Sequence, residues 1–260
     1  MLHSYAVRGR HGLKRRCTRV FSSPTIVALG LFTDIIRRKN NEHIARNVQI
    51  LAIEGEQDLT NSILLQILLA RLPNIVWYRI LHLAHSKDTR ATKFSLPTSY
   101  NSKLKRLTVE IQLPFPGSYV RDDPEAPSTS ALFFHGDIKL LPPSLGRLDL
   151  LSVDLTRMSR LAIRNLKTFS LNEATLYTMR SDFRLKMPAL VNLHLCDLER
   201  MAEKWQRISR PLREQFQEIH VHCPPVPSVL TAAEDWIHAQ RTYYARHVKF
   251  YLDGTLVEQL

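Results

Sequence analysis

Apolar residues in this chain return in a spaced triplet, Leu-x-x-Leu-x-Leu in worn form. The triplet stands at Val48/Leu51/Ile53, Ile75/Tyr78/Ile80, Leu104/Leu107/Val109 and Leu145/Leu148/Leu150. It returns at Leu166/Phe169/Leu171, Leu190/Leu193/Leu195, Phe216/Ile219/Val221 and, most weakly, Val248/Phe250. The starting positions mostly lie roughly 20 to 30 residues apart, the spacing of stacked structural repeats. On a short strand the fourth and sixth positions of the triplet point inward, and the intervening positions point to solvent. One such strand has nothing to bury its apolar face against. Stacked copies share one continuous core, so each unit is stable only beside its neighbours.

The segments between triplets carry the helical period. Leu59, Ile63, Leu64, Ile67, Leu68 and Leu72 recur at helical spacing, with Asp58 or Thr60 as N-cap and Pro73 closing the run. Leu198, Met201, Ala202, Trp205 and Ile208 repeat the pattern after Asp197. Thr231 and Glu234 have capping-box spacing before Trp236 and Ile237. Ser23 and Pro24 read as N-cap and first residue of a helix running to about Arg38. Strand and helix in alternation predict an α/β fold. It is an irregular leucine-rich-repeat solenoid with a parallel sheet on the concave side and helices on the convex side. A non-repeat α/β domain is the competing architecture. The clearest copy, LKTFSLNEATL, carries Ala174 where such repeats usually hold Asn, and Val153 takes that place in LGRLDLLSVDL, so no regular Asn ladder is expected.

The domain assignment is a basic arm over residues 1–22 and a repeat domain over 23–260, with a loop insertion at about 114–140. Pro114, Pro116, Gly117, Pro124 and Pro127 break regular structure in that insertion. Leu132, Phe133 and Phe134 are expected to return to the core. Composition changes this picture little: 260 residues, 44% hydrophobic and 23% charged, suit a globular chain. Cys17, Cys196 and Cys223 cannot all pair, which favours a reducing, intracellular setting, cytoplasmic or nuclear. No apolar run reaches the ~18 to 20 residues that cross a bilayer, so no membrane partner is expected.

Charge matters more. The net charge is +12. Arg8, Arg10, Lys14, Arg15, Arg16, Arg19, Arg37, Arg38 and Lys39 precede the first triplet against only Asp34 and Glu42. The excess is a basic arm rather than a basic fold. A solvated arm, a mitochondrial presequence and a nucleic-acid or anionic-surface attachment compete for it.

No GxGxxG, HExxH, GxSxG or CxxC occurs. With no recognisable reaction centre, a non-enzyme without cofactor is the reading. Aligning the strands near Leu190 and Phe216 sets His194 beside His220 and Cys196 beside His222, four zinc-competent side chains. The competing and adopted reading makes them polar residues of a binding face, with no metal assigned. The same alignment predicts the outward positions. Trp77, Arg79, Arg106, Glu110, Arg147, Asp149, Asn172, Asn192, His194, His220 and His222 are the candidate partner-binding residues. Ala52, Glu54, Thr108, Thr168, Ser170, Cys196 and Glu218 lie among them. The mixture of signs argues against nucleic acid on this face and suits a protein, where Trp and Arg anchor contacts.

HIARNVQILAIEG, LLARLPNIVWYRIL and MPALVNLHLCDL resemble the repeat region of F-box leucine-rich-repeat proteins, especially the divergent fungal ones. Ala45, Arg46, Val48 and Leu51 match the opening pattern of those arrays. Leu72, Pro73, Asn74, Ile75, Tyr78 and Ile80 match the later Leu-Pro-x-Leu-x-x-Leu-x-Leu pattern, and YARHVKFYLDG echoes it weakly. The resemblance implies a substrate-binding part of a ubiquitin ligase adaptor. An F-box opens with a Leu-Pro-x-Glu-like helical signal, and nothing before Val48 matches one. A Skp1-type adaptor is therefore a doubtful partner, and an unknown protein on the concave face is the expected one.

Overall fold

The computed structural model describes residues 20–23, 26–55, 63–83, 92–94, 103–112, 132–134, 141–153, 155, 160–179, 184–196, 215–244 and 248–257. The arm up to Arg19, most of the 114–140 insertion and the apolar stripe from Leu198 to Ile208 lie outside them.

All eight triplets lead into strands of one sheet. These are β2 (Ile50–Gly55), β3 (Trp77–Leu83), β5 (Arg106–Gln112), β7 (Arg147–Leu151), β9 (Thr168–Asn172), β11 (Asn192–Cys196), β12 (Glu218–His222) and β13 (Lys249–Leu252). Each pairs in parallel with the next of the series. An additional strand, β1 (Val20–Ser23), joins β2 in parallel at one edge. Part of the segment assigned to the basic arm thus belongs to the sheet. At the other edge β14 (Thr255–Leu256) pairs antiparallel with β13. The molecule is therefore α/β, with an open, mostly parallel sheet that has ten strands among the described residues and an order that follows the chain. A sheet ordered by the chain is what stacked units produce, because each unit can bury its apolar side only against its neighbours.

The inward positions form the core. Leu51, Ile53, Tyr78, Ile80, Leu107, Leu148, Phe169, Leu171, Leu195, Ile219 and Val221 are fully buried. Below the strand starts, backbone bonds tie each unit to the last. The amides of Val76, Lys105, Gly146, Lys167, Val191 and Gln217 each donate to the carbonyl at the matching position of the preceding unit, and the Lys249 amide donates to the Gln217 carbonyl. Side chains reinforce the same turns: Asn74 Nδ2 donates to the Arg46 carbonyl at 2.7 Å, and Asn165 Nδ2 to the Pro143 carbonyl at 2.8 Å.

The return segments differ from the expected helical layer. Helices α1 (Ile26–Arg37), α2 (Glu42–Asn47) and α3 (Ile63–Arg71) serve the first units, and α5 (Pro227–Tyr244) the last. Among the described residues, the returns of the middle units include short strands. Strand β4 (Thr92–Phe94) pairs with β6 (Leu132–Phe134), and β8 (Arg160–Ala162) with β10 (Arg184–Lys186), both in parallel. Leu132–Phe134 form one strand of a small second sheet; the expected packing of their side chains on the core lies outside the described residues. Where strands start as close as residues 147 and 168, the return path lacks room for a long helix between two turns. Among the described residues, the six-residue helix α4 (Glu173–Thr178) is the helix that follows β9. Helix α5 begins at Pro227, not at Thr231, whose hydroxyl donates to the Pro227 carbonyl at 3.0 Å from within the helix. Proline suits a first helical position because its missing N–H is unpaired there anyway. Among the described residues, no helix is long and apolar enough to cross a membrane.

Candidate functional site

Strand register arranges the outward side chains into rows across the sheet. One row runs Trp77, Arg106, Arg147, Thr168, Asn192, Glu218 and Lys249. The next runs Arg79, Thr108, Asp149, Ser170, His194, His220 and Tyr251. Side chains directly opposite on adjacent strands lie close enough to bond one another, and here they do so extensively.

Asp149 is the hub. Its Oδ2 accepts from Arg106 Nε at 2.8 Å and from Thr108 Oγ1 at 2.8 Å. Its Oδ1 accepts from Arg147 Nε at 2.9 Å and from the Ser170 hydroxyl. The side chain is 3% exposed, against 33% for Arg106 and 34% for Arg147. Burial raises the carboxyl's pKa, but the Ser170 bond and the two guanidiniums outweigh it, and the group sits below its usual range. Trp77 extends the cluster. Its Nε1 donates to Thr108 Oγ1 at 3.1 Å, and the Arg106 guanidinium lies 4.2 Å from its ring centre, a cation–π contact. Arg79 and Glu110 form a separate pair at 2.8 Å.

Further along the sheet, imidazoles stack. His194 and His220 lie 4.3 Å apart and nearly parallel, and His220 stacks on Tyr251 at 4.4 Å. His194 Nδ1 and His222 Nε2 share a hydrogen bond at 3.1 Å. Burial, then His220, Arg147 and His222, push the His194 pKa down to about 3, with Asp149 acting the other way. The expected neighbours His194/His220 and Cys196/His222 are in register. Among the described residues, however, no group of three or more metal-competent side chains is placed to hold an ion.

Two expected contact residues are enclosed by their neighbours in the fold. Asp149 is enclosed as described. Asn172 is 7% exposed. Its Oδ1 accepts from the Ser152 amide at 2.7 Å and the Thr175 amide at 3.1 Å, and its Nδ2 donates to Ser152 Oγ at 2.8 Å. It caps α4 and ties that turn to the preceding one. Thr175 and Thr178 continue the link, accepting from the Val153 and Leu155 amides. A short Asn–Thr ladder thus replaces the absent regular one. Trp77, Arg79, Arg106, Glu110, Arg147, Asn192, His194, His220 and His222 remain half-buried on the face.

Sequence reading missed Tyr251 and Asp253. Tyr251 ends the imidazole stack, and Asp253 Oδ1 lies 4.0 Å from His222 Nδ1 while accepting from the Cys223 amide. Their signal lay in the weakest triplet, where Lys249-Phe-Tyr-Leu alternates before Asp253-Gly254. In comparisons with known proteins, no family model, no curated protein and no solved structure matches the chain.

Proposed function

We propose that this chain is a leucine-rich-repeat-like recognition module that works without catalysis and offers its polar sheet face to a protein partner. The observation that carries the reading is the in-register row of Trp77, Arg106 and Arg147, assembled from three separate units. Trp and Arg fixed by neighbours are the side chains that most often anchor protein interfaces. The resemblance of the Ala45–Leu51 and Leu72–Ile80 segments to F-box leucine-rich-repeat proteins extends the proposal. The partner would then be a ubiquitylation substrate and the chain the substrate-binding part of a ligase adaptor.

The test is affinity capture with wild type and a Trp77→Ala/Arg79→Ala variant. These positions spare the arginines that neutralise Asp149, so the fold is expected to persist. The variant is expected to lose at least one protein that wild type captures. An unchanged set of captured proteins removes this face from the function. The second reading, attachment of nucleic acid or an anionic surface through the basic arm, draws on the six cations from Arg8 to Arg19. It requires binding that falls steeply with salt.

A further inference from the structure

Asp149 is concealed while the two guanidiniums it holds are not. The carboxylate is 3% exposed, and each arginine keeps about a third of its side chain in solvent. Both arginines bond it through Nε, which leaves the Nη ends of the two planar groups for other acceptors. Arg147 Nη2 reaches only Ser170 Oγ, at a long 3.4 Å, and Arg106 makes no further hydrogen bond among the described residues. Two cations against one buried anion leave this spot net positive toward solvent, whereas Arg79 nearby is already matched by Glu110.

From this geometry we infer that Arg106 and Arg147 receive a side-chain carboxylate from an acidic peptide segment of the partner. The inference rests on the recognition role proposed above and gives its contact a chemistry. Guanidinium forks match carboxylates in shape, and holding them in place beforehand lowers the entropy lost on binding. Arg106 is held from two sides, by Asp149 and by the Trp77 ring. The row continues through Thr168 and Asn192, both half-buried, which supply polar partners for the backbone of a segment crossing the strands. Acidic residues elsewhere on the face, such as Glu110 and Glu218, disfavour a continuous polyanion.

A fluorescein-labelled peptide of about eight residues, with two central glutamates flanked by glycine and serine, is titrated by anisotropy against the full chain at low and moderate salt. Wild type is expected to bind it. The Arg147→Gln/Asp149→Asn variant removes one cation and one anion, so the total charge is unchanged, and roughly tenfold weaker binding is expected. An Arg106→Lys/Arg147→Lys variant keeps both charges but loses the forks. It is expected to bind several-fold more weakly, and it supplies the readout if the first variant unfolds. Absence of binding to wild type overturns the inference, as does equal binding by folded variants. Binding that disappears on removing residues 1–19 assigns it to the arm, and complete displacement by equimolar inorganic phosphate assigns the site to another anion. Either result also overturns the inference. If the peptide fails while Trp77→Ala/Arg79→Ala still loses a captured protein, the acidic segment is wrong and the recognition role stands.

Discussion

Asn172 illustrates how one side chain serves two turns at once. Its carbonyl oxygen accepts from its own helix, through the Thr175 amide, and from Ser152 in the unit before. Ser152 takes a positive φ of 57° there, a conformation that is uncommon outside glycine and persists only when its surroundings hold it. Replacing Asn172 with Ala removes a cap and leaves buried amides without acceptors, and is expected to cost about 1–2 kcal/mol by urea unfolding. A loss within error of zero would show that water substitutes for the amide. Alternation along β9 told which face Asn172 belongs to. It could not tell that Ser152 and α4 close over it, because that closeness depends on the turn after a different strand. Asp149 escaped the sequence reading in the same way: its position on the outward face was legible, its enclosure by Arg106, Thr108, Arg147 and Ser170 was not.

Each strand is a unit that borrows stability from both neighbours. Phe169 in β9 is fully buried between the apolar layers of β7 and β11. Phe169→Ala should destabilise by about 3–5 kcal/mol in urea unfolding, the cost of a large vacated core volume. A cost under about 1 kcal/mol would mean the units do not share one interior. The strands were legible because the period-two pattern recurs at the same phase in every unit. The returns were not. The run from Leu59 to Leu72 correctly announced a helix, described here from Ile63, whereas β4, β6, β8 and β10 are three residues each and too short to show any period. The β13–β14 hairpin had a stronger signal. Asp253 and Gly254 both have positive φ, 46° and 84°, the geometry that an Asp-Gly dipeptide favours in a two-residue turn. This hairpin ends the parallel series at that edge and covers one side of β13.

At the scale of the molecule, protonation couples the polar face to stability. The folded chain holds His194 neutral down to about 3, well below the ordinary imidazole value of 6.5. The unfolded chain takes up that proton first, so this contribution is complete above pH 6.5 and declines as pH falls toward 3. His194→Asn should flatten the loss of urea midpoint between about pH 7.5 and 5. Identical slopes for variant and wild type would assign the acid sensitivity elsewhere. The chain by itself determined the α/β class, the parallel repetition, the phase of the eight triplet strands and hence which of their residues face outward. Those follow from local alternation and repeat spacing, since a strand cannot change face without moving its whole apolar set out of the core. Only the tertiary structure decided which outward residues are enclosed, which turns return as strands, and that two arginines share one hidden carboxylate. Such bonds join residues tens of positions apart, and they depend on strand register and side-chain direction, which no single unit encodes.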